Sequence, residues 1–168
     1  MQMSDPIIRI SVLDQRLDLI SGDVLLASYP VSTSRFGLGS EEGSMKTPLG
    51  KFRIGEKIGA ELPIGTIFRS RVPFAPDDLP PSTDDLILTR ILWLDGVEEH
   101  NANTRDRFIY IHGTNHEGEI GQPASHGCIR MKSADLIALF DQVPLGAEVV
   151  ISTQKKAENF VAHAGFPA

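Results

Sequence analysis

The sequence has one cysteine, no long apolar run and no basic cluster, and each shortage excludes a class of protein. A single cysteine, Cys128, cannot form an internal disulfide, so packing must hold the fold together. The apolar stretch that begins at Ile7 is interrupted by Arg9 and Asp14, so we expect neither a membrane span nor a signal peptide there. A net charge of −6 without clustered Lys and Arg argues against nucleic acid or an anionic membrane as the main partner.

The rest of the composition is ordinary for a soluble globular protein, with 41% hydrophobic and 23% charged residues. A chain of 168 residues suits one domain with a sizeable core. We therefore predict a single domain over residues 1–168, with its core at about 7–152 and a C-terminal tail at 153–168. Without a signal peptide we expect a cytoplasmic protein, whereas an export signal trimmed before Met1 would place it in the periplasm.

Short β-like segments fill the first two thirds of the chain. Leu17 and Leu19 alternate with charged residues, as in a half-buried strand. The other predicted strands are 7–13, 24–31, a strand from 51, 66–72, 86–94, 108–112 and 147–152. One helix is predicted from Ser133 as N-cap, with its apolar face formed by Leu136, Leu139, Phe140 and Val143. We therefore predict a mainly β domain, β-sandwich-like with mixed sheets and one or two short helices.

The single cysteine lies in a setting that favours a reactive thiol. It follows a loop containing Gly and Pro, and its neighbours in the segment Ser125–Met131 include His, Gly and Arg, which is unusual for a core residue. His112 ends the apolar run that starts at Phe108, and a fifteen-residue loop then returns the chain to Cys128. We predict that the imidazole takes the proton of the thiol. A buried structural cysteine and a structural histidine are the alternatives.

A metal site is a competing interpretation, because His112, His116, His126 and Cys128 offer nitrogen and sulfur ligands for zinc. The spacing of His112 and His116 is that of helical zinc motifs, but the glycines beside them oppose a helix and no Glu follows His112. We therefore predict no metal and no cofactor.

These segments resemble the signature of the L,D-transpeptidase catalytic-domain family of bacterial peptidoglycan enzymes. The likeness is carried by His112-Gly113-Thr114, a loop of fitting length and Ser125-His126-Gly127-Cys128-Ile129-Arg130. A second segment, Thr47-Pro48-Leu49-Gly50-Lys51-Phe52, is similar to the family's Thr-Pro-x-Gly-x-Phe. The resemblance covers roughly residues 7–152. Some members carry Asn where this chain has Arg130, so the role of that position varies.

The resemblance implies a mechanism. Cys128 attacks the carbonyl of the diamino acid at position three of a stem peptide and expels the terminal D-alanine, which leaves a thioester. His112 is the implied base, with its ring oriented by the Gly113 carbonyl. The implied oxyanion hole consists of the backbone amides of His126, Gly127 and Cys128. Arg130, together with the side chain of Ser125 or His126, is expected to hold charged groups of the peptide.

The expected partner is a peptidoglycan tetrapeptide or muropeptide, and carbapenem-type β-lactams are the expected covalent inhibitors. In the cytoplasm water is the abundant acyl acceptor, so we expect an L,D-carboxypeptidase that trims D-alanine from recycled tetrapeptides. The alternatives are an exported L,D-transpeptidase that forms 3-3 cross-links and a non-catalytic peptidoglycan-binding module. We expect the site in a groove under the loop between His112 and Cys128, with the proline-rich residues 58–82 as a second wall.

Overall fold

The computed structural model describes residues 4–74 and 84–154. Within these residues the chain forms ten strands, one α-helix and two short 3-10 turns. The elements are β1 (Ile7–Ser11), β2 (Arg16–Ser21), β3 (Val24–Pro30), β4 (Gly50–Ile58), β5 (Ile67–Arg69), β6 (Val72–Pro73), β7 (Ile87–Gly96), the 3-10 turn Glu99–Asn101, β8 (Tyr110–Gly113), the 3-10 turn Glu117–Glu119, β9 (Ile129–Met131), α1 (Ser133–Gln142) and β10 (Glu148–Ser152).

The strands join in one mixed sheet. β1, β2 and β3 form an antiparallel meander, and β1 also pairs in parallel with β10. The sheet continues through β4 to β7, which pairs with both β5 and β8, and β8 pairs in parallel with β9. Beyond β3, Ser32 forms an antiparallel bridge with Arg130 of β9, so the two ends of the sheet meet. The predicted mainly β class is confirmed, as one curved mixed sheet.

The sheet curves around a main apolar core. Seven strands and α1 contribute fully or almost fully buried side chains to it, such as Ile8 of β1, Phe52 of β4 and Ile129 of β9. Each such side chain contributes about 1.5–3 kcal/mol through burial. The helix faces this core with the predicted side, since Leu136, Leu139, Phe140 and Val143 are all buried. The core therefore fixes the position of β8 and β9, which carry the candidate site, through their buried side chains.

Three local details differ from the sequence prediction. The N-cap of α1 is Lys132, and Ser133 is the first helical residue, whose amide donates to the Glu117 carboxylate at 2.8 Å. The predicted strand 66–72 is broken into β5 and β6 by a turn in which Ser70 and Arg71 have left-handed φ values of 49° and 66°. The short strand β9 is not among the predicted strands, because three residues carry too little pattern to identify a strand.

Parts of two predicted regions fall outside the described residues. The proline-rich passage supplies the β5–β6 hairpin, which pairs with β7, but residues 75–83 are not among those described. The predicted tail lies outside them from residue 155 onwards. Across residues 4–74 and 84–154 we find no helix that is both long and apolar enough to cross a membrane.

Candidate active site

The parallel pair β8–β9 brings Cys128 and His112 to the same face of the sheet. Ile111 lies opposite Ile129 and His112 lies opposite Arg130. Because side chains alternate along a strand, Ile111 and Ile129 point into the core while His112 and Arg130 point to the other face. Cys128, one residue before β9, shares that face. The two residues are therefore diagonal neighbours, although no hydrogen bond joins the sulfur to the ring within the described part of the chain.

His112 is held in one tautomer. Its Nδ1 lies 2.6 Å from the Gly113 carbonyl oxygen. A carbonyl only accepts, so Nδ1 carries the proton and Nε2 keeps the lone pair that a base needs. Burial lowers the pKa of His112, and the nearby Arg130 charge acts in the same direction, while the Gly113 hydrogen bond and Asp85 oppose the shift. The imidazole is therefore neutral near pH 7 and has Nε2 free to accept a proton.

Gly113 is required by space as well as by this hydrogen bond. A Cβ atom at that position would lie 2.6 Å from the Leu88 carbonyl oxygen and 3.0 Å from the Ser133 hydroxyl. No other residue fits without moving the backbone of β7, so the close approach of β8 to β7 depends on this glycine.

Cys128 is partly exposed. Its sulfur forms two hydrogen bonds with the backbone, one to Tyr110 at the start of β8 and one to Phe108 two residues earlier. The sulfur accepts from the Tyr110 amide and donates to the Phe108 carbonyl, both at 3.3 Å. Burial raises the pKa of the Cys128 thiol to about 11, against the Tyr110 hydrogen bond and the charges of Arg130 and Arg107. The sequence analysis led us to expect a thiolate stabilised by imidazolium. The structure instead gives a resting pair of neutral thiol and neutral imidazole, because desolvation disfavours both charged forms.

The three backbone amides that the resemblance implies for an oxyanion hole differ in whether they already have a hydrogen-bond acceptor. The Gly127 amide donates to the Ser125 hydroxyl at 3.2 Å, and that hydroxyl donates to the Cys128 carbonyl at 2.6 Å. The amides of His126 and Cys128 have no acceptor among residues 4–74 and 84–154. This arrangement leaves those two N–H groups to stabilise an oxyanion, while Gly127 supplies the turn through its left-handed φ of 126°.

Thr47 orients the peptide plane in front of the nucleophile. Its hydroxyl is completely buried, donates to the Gly127 carbonyl at 2.9 Å and accepts from the Ser34 amide at 3.0 Å. In a trans peptide the Gly127 C=O and the Cys128 N–H point in opposite directions. Thr47 therefore turns the Cys128 amide away from itself and keeps it unpaired. In the sequence, Thr47 stands out only as part of the Thr-Pro-x-Gly-x-Phe motif, which predicts no role for its hydroxyl.

Arg130 is buried and already paired. The residue is 1% exposed, and its guanidinium contacts the Asp85 carboxylate at 2.7 Å and the Glu119 carboxylate at 3.1 Å. Burial would raise the pKa of Asp85, but the hydrogen bond and charge of Arg130 outweigh it and lower that pKa. Asp85 is therefore ionised at neutral pH and fixes Arg130 in place. Nothing in the sequence around Asp85 marked it as part of the site.

The ring of His126 completes this network. Its Nδ1 lies 3.3 Å from the Asp85 carboxylate and its Nε2 lies 3.2 Å from the Arg35 guanidinium. A carboxylate accepts and a guanidinium donates, so the neutral ring carries its proton on Nδ1. The chain of contacts Arg35–His126–Asp85–Arg130–Glu119 ties the loop after β3 to the segment before β7 and to the loop between β8 and β9.

The three residues predicted to contact the substrate, Ser125, His126 and Arg130, differ in burial and in how far their polar groups are already engaged. The Ser125 hydroxyl is 1% exposed and engaged twice with the motif's own backbone, and Arg130 is neutralised by two carboxylates. For these two residues the geometry favours shaping the Cys128 loop over touching a peptide. His126 remains exposed on one side, and Arg35, which the sequence analysis did not single out, is the exposed cation beside it.

The competing metal interpretation can be compared with the same geometry. In the described ranges no group of three or more His, Cys, Asp or Glu residues is arranged to hold a metal ion. His112 instead uses Nδ1 for the Gly113 carbonyl, and His126 uses both ring nitrogens for protein partners.

Comparison with known proteins identifies the family of the chain. The profile of the L,D-transpeptidase catalytic domain, YkuD, matches residues 5–151. The Bacillus subtilis protein YkuD, named as an L,D-transpeptidase, is 28% identical over 145 residues, which cover 86% of this chain and 65% of that protein. Another Bacillus subtilis protein so named, YqjB, is 38% identical over 63 residues, which are 37% of this chain and 36% of YqjB.

A solved structure shares the fold. The L,D-transpeptidase 3 of Mycobacterium tuberculosis, in complex with a faropenem-derived adduct, superposes with a TM-score of 0.57 at 16% identity, covering 87% of this chain and 59% of that one. The matched part of this chain thus spans less than two thirds of the length of each of these proteins. Because the family profile covers residues 5–151 of 168, the chain belongs to the L,D-transpeptidase catalytic-domain family.

Proposed function

We propose that the chain is a cysteine acyltransferase that cleaves the bond before the terminal D-alanine of peptidoglycan tetrapeptides, with water as the acyl acceptor. The observation that carries the proposal is the shared face of β8 and β9, where a partly exposed thiol lies diagonally from a neutral imidazole with a free Nε2.

The proposed chemistry starts from the neutral pair. His112 Nε2 takes the thiol proton as the Cys128 sulfur bonds to the peptide carbonyl carbon, and the amides of His126 and Cys128 stabilise the oxyanion. The imidazolium then protonates the departing amine of D-alanine, the C–N bond breaks and a thioester remains. Water, deprotonated by the same Nε2, attacks the thioester and releases the tripeptide carboxylate, while the sulfur recovers its proton.

The charges around the sulfur support water over an amine as acceptor. A second stem peptide would present an ammonium group, which a carboxylate binds best. The carboxylates of Asp85 and Glu119 are both engaged with Arg130, whereas Arg35 and Arg107 add positive charge near the motif. Such a site attracts an anionic donor peptide and disfavours a cationic acceptor.

The experiment incubates the purified protein with a free or disaccharide-linked tetrapeptide, with and without an added D-amino acid, and analyses the products by mass spectrometry. We expect tripeptide and free D-alanine in both cases, none with Cys128→Ala, and a rate about 10²–10⁴-fold lower with His112→Gln. Cross-linked or D-amino-acid-exchanged products without net hydrolysis would make the protein a transpeptidase. Binding without turnover in both wild type and Cys128→Ala would make it a recognition module.

The proposal extends to β-lactams and to the compartment. A carbapenem, whose strained amide presents a similar carbonyl, should leave one acyl adduct on Cys128 that is visible as a mass increase. For the compartment we propose the cytoplasm, where tetrapeptide fragments and water meet. Fractionation of cells that express the full reading frame tests this, and recovery in the periplasmic fraction would favour cross-linking as the activity.

A further inference from the structure

A cluster of aromatic rings lies next to Cys128 on the site face of the sheet. The ring of Trp93 lies 5.5 Å from that of Tyr110 and 6.0 Å from that of Phe108, and both Trp93 and Cys128 pack against the buried cluster that contains Tyr110. Phe108 is 50% exposed and has a left-handed φ of 57°, while its carbonyl accepts from the Cys128 sulfur. A non-glycine residue in that conformation is uncommon and marks sites where structure serves function.

An arginine from the β5–β6 hairpin covers these rings. The Arg71 guanidinium carbon lies 4.7 Å from the Trp93 ring centre and 5.1 Å from the Phe108 ring centre. One of its nitrogens donates to the Tyr110 hydroxyl at 3.1 Å. We call the four residues Arg71, Trp93, Phe108 and Tyr110 the Arg71 platform.

Arg71 differs from the second arginine on the same indole. Arg105 lies 4.3 Å from the Trp93 ring centre and is neutralised by Glu56 at 3.0 Å and Asp95 at 3.2 Å. Arg71 forms no ion pair with any carboxylate in residues 4–74 and 84–154, and only one of its five N–H groups is used, by Tyr110. Its fork of donors is therefore charged, oriented by the rings and available.

We propose that the Arg71 platform is a subsite for a carboxylate of the substrate, specifically the one at the end of the side chain of the diamino acid whose carbonyl Cys128 attacks. This inference rests on the proposed function. A guanidinium binds a planar carboxylate through two parallel hydrogen bonds, and the half-exposed ring of Phe108 beside it suits the methylene groups before that carboxylate. The platform would thus select a diaminodicarboxylic acid over lysine, which lacks that carboxylate.

The placement of Arg71 favours the side-chain carboxylate over that of the terminal D-alanine. The Cys128 sulfur contacts the backbone amide of Tyr110, whereas the Arg71 guanidinium contacts the hydroxyl at the far end of the Tyr110 side chain. The bound group must therefore lie about a side chain's length from the reacting carbonyl. The terminal carboxylate is only one residue of backbone beyond that carbonyl.

The test compares four tetrapeptides that differ in one group each: diaminopimelate at position three, the same residue with its side-chain carboxylate amidated, lysine in its place, and the first peptide as its C-terminal amide. The enzymes are wild type, Arg71→Gln, Arg71→Lys and Arg9→Gln. Arg9→Gln removes the same charge from β1, four strands away from β8 in the sheet.

We expect Arg71→Gln to lower kcat/KM for the diaminopimelate peptide about 10- to 100-fold, mainly through KM, and to leave the amidated and lysine peptides near their wild-type values. Arg71→Lys should recover part of the loss, and Arg9→Gln should behave as wild type. An equal loss on all four peptides overturns the subsite. A loss that disappears only with the C-terminal amide overturns the assignment to the side chain.

A binding measurement separates failure of the subsite from failure of the proposed function. Trp93 is the only tryptophan of the chain, so its fluorescence reports on the platform directly. With Cys128→Ala, which cannot turn the peptides over, titration should show tighter binding of the diaminopimelate peptide than of its amidated form. The Arg71→Gln, Cys128→Ala double variant should lose that preference. This preference is expected even if wild type proves to be a transpeptidase, and its absence in Cys128→Ala overturns the subsite alone.

Discussion

The two faces of the β8–β9 pair share one backbone and differ in almost everything else. On the core face, Ile111, Ile129 and Met131 are completely buried and need no partner. On the site face, His112 and Arg130 are just as buried, but they need polar partners, which are the Gly113 carbonyl for His112 and the carboxylates of Asp85 and Glu119 for Arg130. Burial on the core face stabilises the strands, whereas burial on the site face changes the pKa values of the groups that react.

The comparison also shows which contacts keep the site face in order. The core face needs only hydrocarbon, because dispersion and hydrophobic burial have no direction. The site face depends on individual hydrogen bonds from distant segments, such as those of Thr47 to Gly127 and of Asp85 to His126. We therefore expect substitutions on the site face to change activity more than stability, and substitutions on the core face to do the reverse.

The largest effect should come from removing the nucleophile. Cys128→Ala takes one partly exposed sulfur from the site face and leaves the core face intact, so acyl adducts and D-alanine release should disappear while the protein stays folded. Intact-protein mass spectrometry after carbapenem treatment measures the adduct, and circular dichroism checks the fold. An adduct that persists in this variant would place the nucleophile elsewhere.

The pH dependence of alkylation tests what burial does to the sulfur. Burial raises the pKa of the Cys128 thiol to about 11, so the protonated form dominates below that value and the thiolate fraction grows with each step towards it. The rate of alkylation by iodoacetamide should therefore rise about 100-fold from pH 7 to pH 9. A rate that is fast and level over this range would show a thiolate already formed at neutral pH.

Thr47→Val should separate acylation from alkylation. Valine keeps the shape but leaves the Gly127 carbonyl and the Ser34 amide unpaired, so the peptide plane that carries the Cys128 amide is no longer held. We expect acylation by a carbapenem to slow about tenfold, less than the full loss of an oxyanion donor. Alkylation by iodoacetamide has no oxyanion and should keep its wild-type rate.

The matched control for this prediction is Thr47→Ser, which retains the hydroxyl and should restore acylation. Equal slowing of acylation and alkylation in Thr47→Val would mean that the substitution disturbs the sulfur itself, and the proposed role of Thr47 would not hold.

The smallest effect should come from a conservative change on the core face. Ile129→Val removes one buried methylene. Residue 129 follows Cys128 in the sequence, but its side chain lies on the opposite face of the sheet. The free energy of unfolding should fall by about 0.5–1.5 kcal/mol, and kcat/KM should stay at its wild-type value. Urea unfolding with parallel kinetics measures both. A large loss of kcat/KM at unchanged stability would show that the two faces are not independent.

Much of this molecule can be predicted from local patterns. The alternation in β2, the apolar face of α1 and the lone thiol among small and basic residues each lie within a few consecutive positions. Side-chain periodicity predicted a mainly β fold, and the residue types around Cys128 and His112 predicted that these two residues act as a pair. The boundaries and the short strand β9 were missed because three residues do not show a period.

The partners of those residues are a different matter. Thr47 meets Gly127, and Asp85 meets Arg130 and His126, across 80, 45 and 41 positions of the chain. Such pairs leave no periodic trace in either segment. The resemblance to the family implied that Ser125 and Arg130 bind the substrate, whereas the fold engages both with the protein itself.

The order of residues along the chain was enough to predict the mainly β class, most of the strands, the helix and Cys128 as the candidate nucleophile, because side-chain alternation and composition act over short distances. Folding alone decided that the thiol and the imidazole rest uncharged and that, within residues 4–74 and 84–154, two of the three candidate amides have no acceptor and Arg71 has no ion-pair partner. Those properties depend on solvent exclusion and on distances between remote segments, and both exist only once the chain has closed around its core.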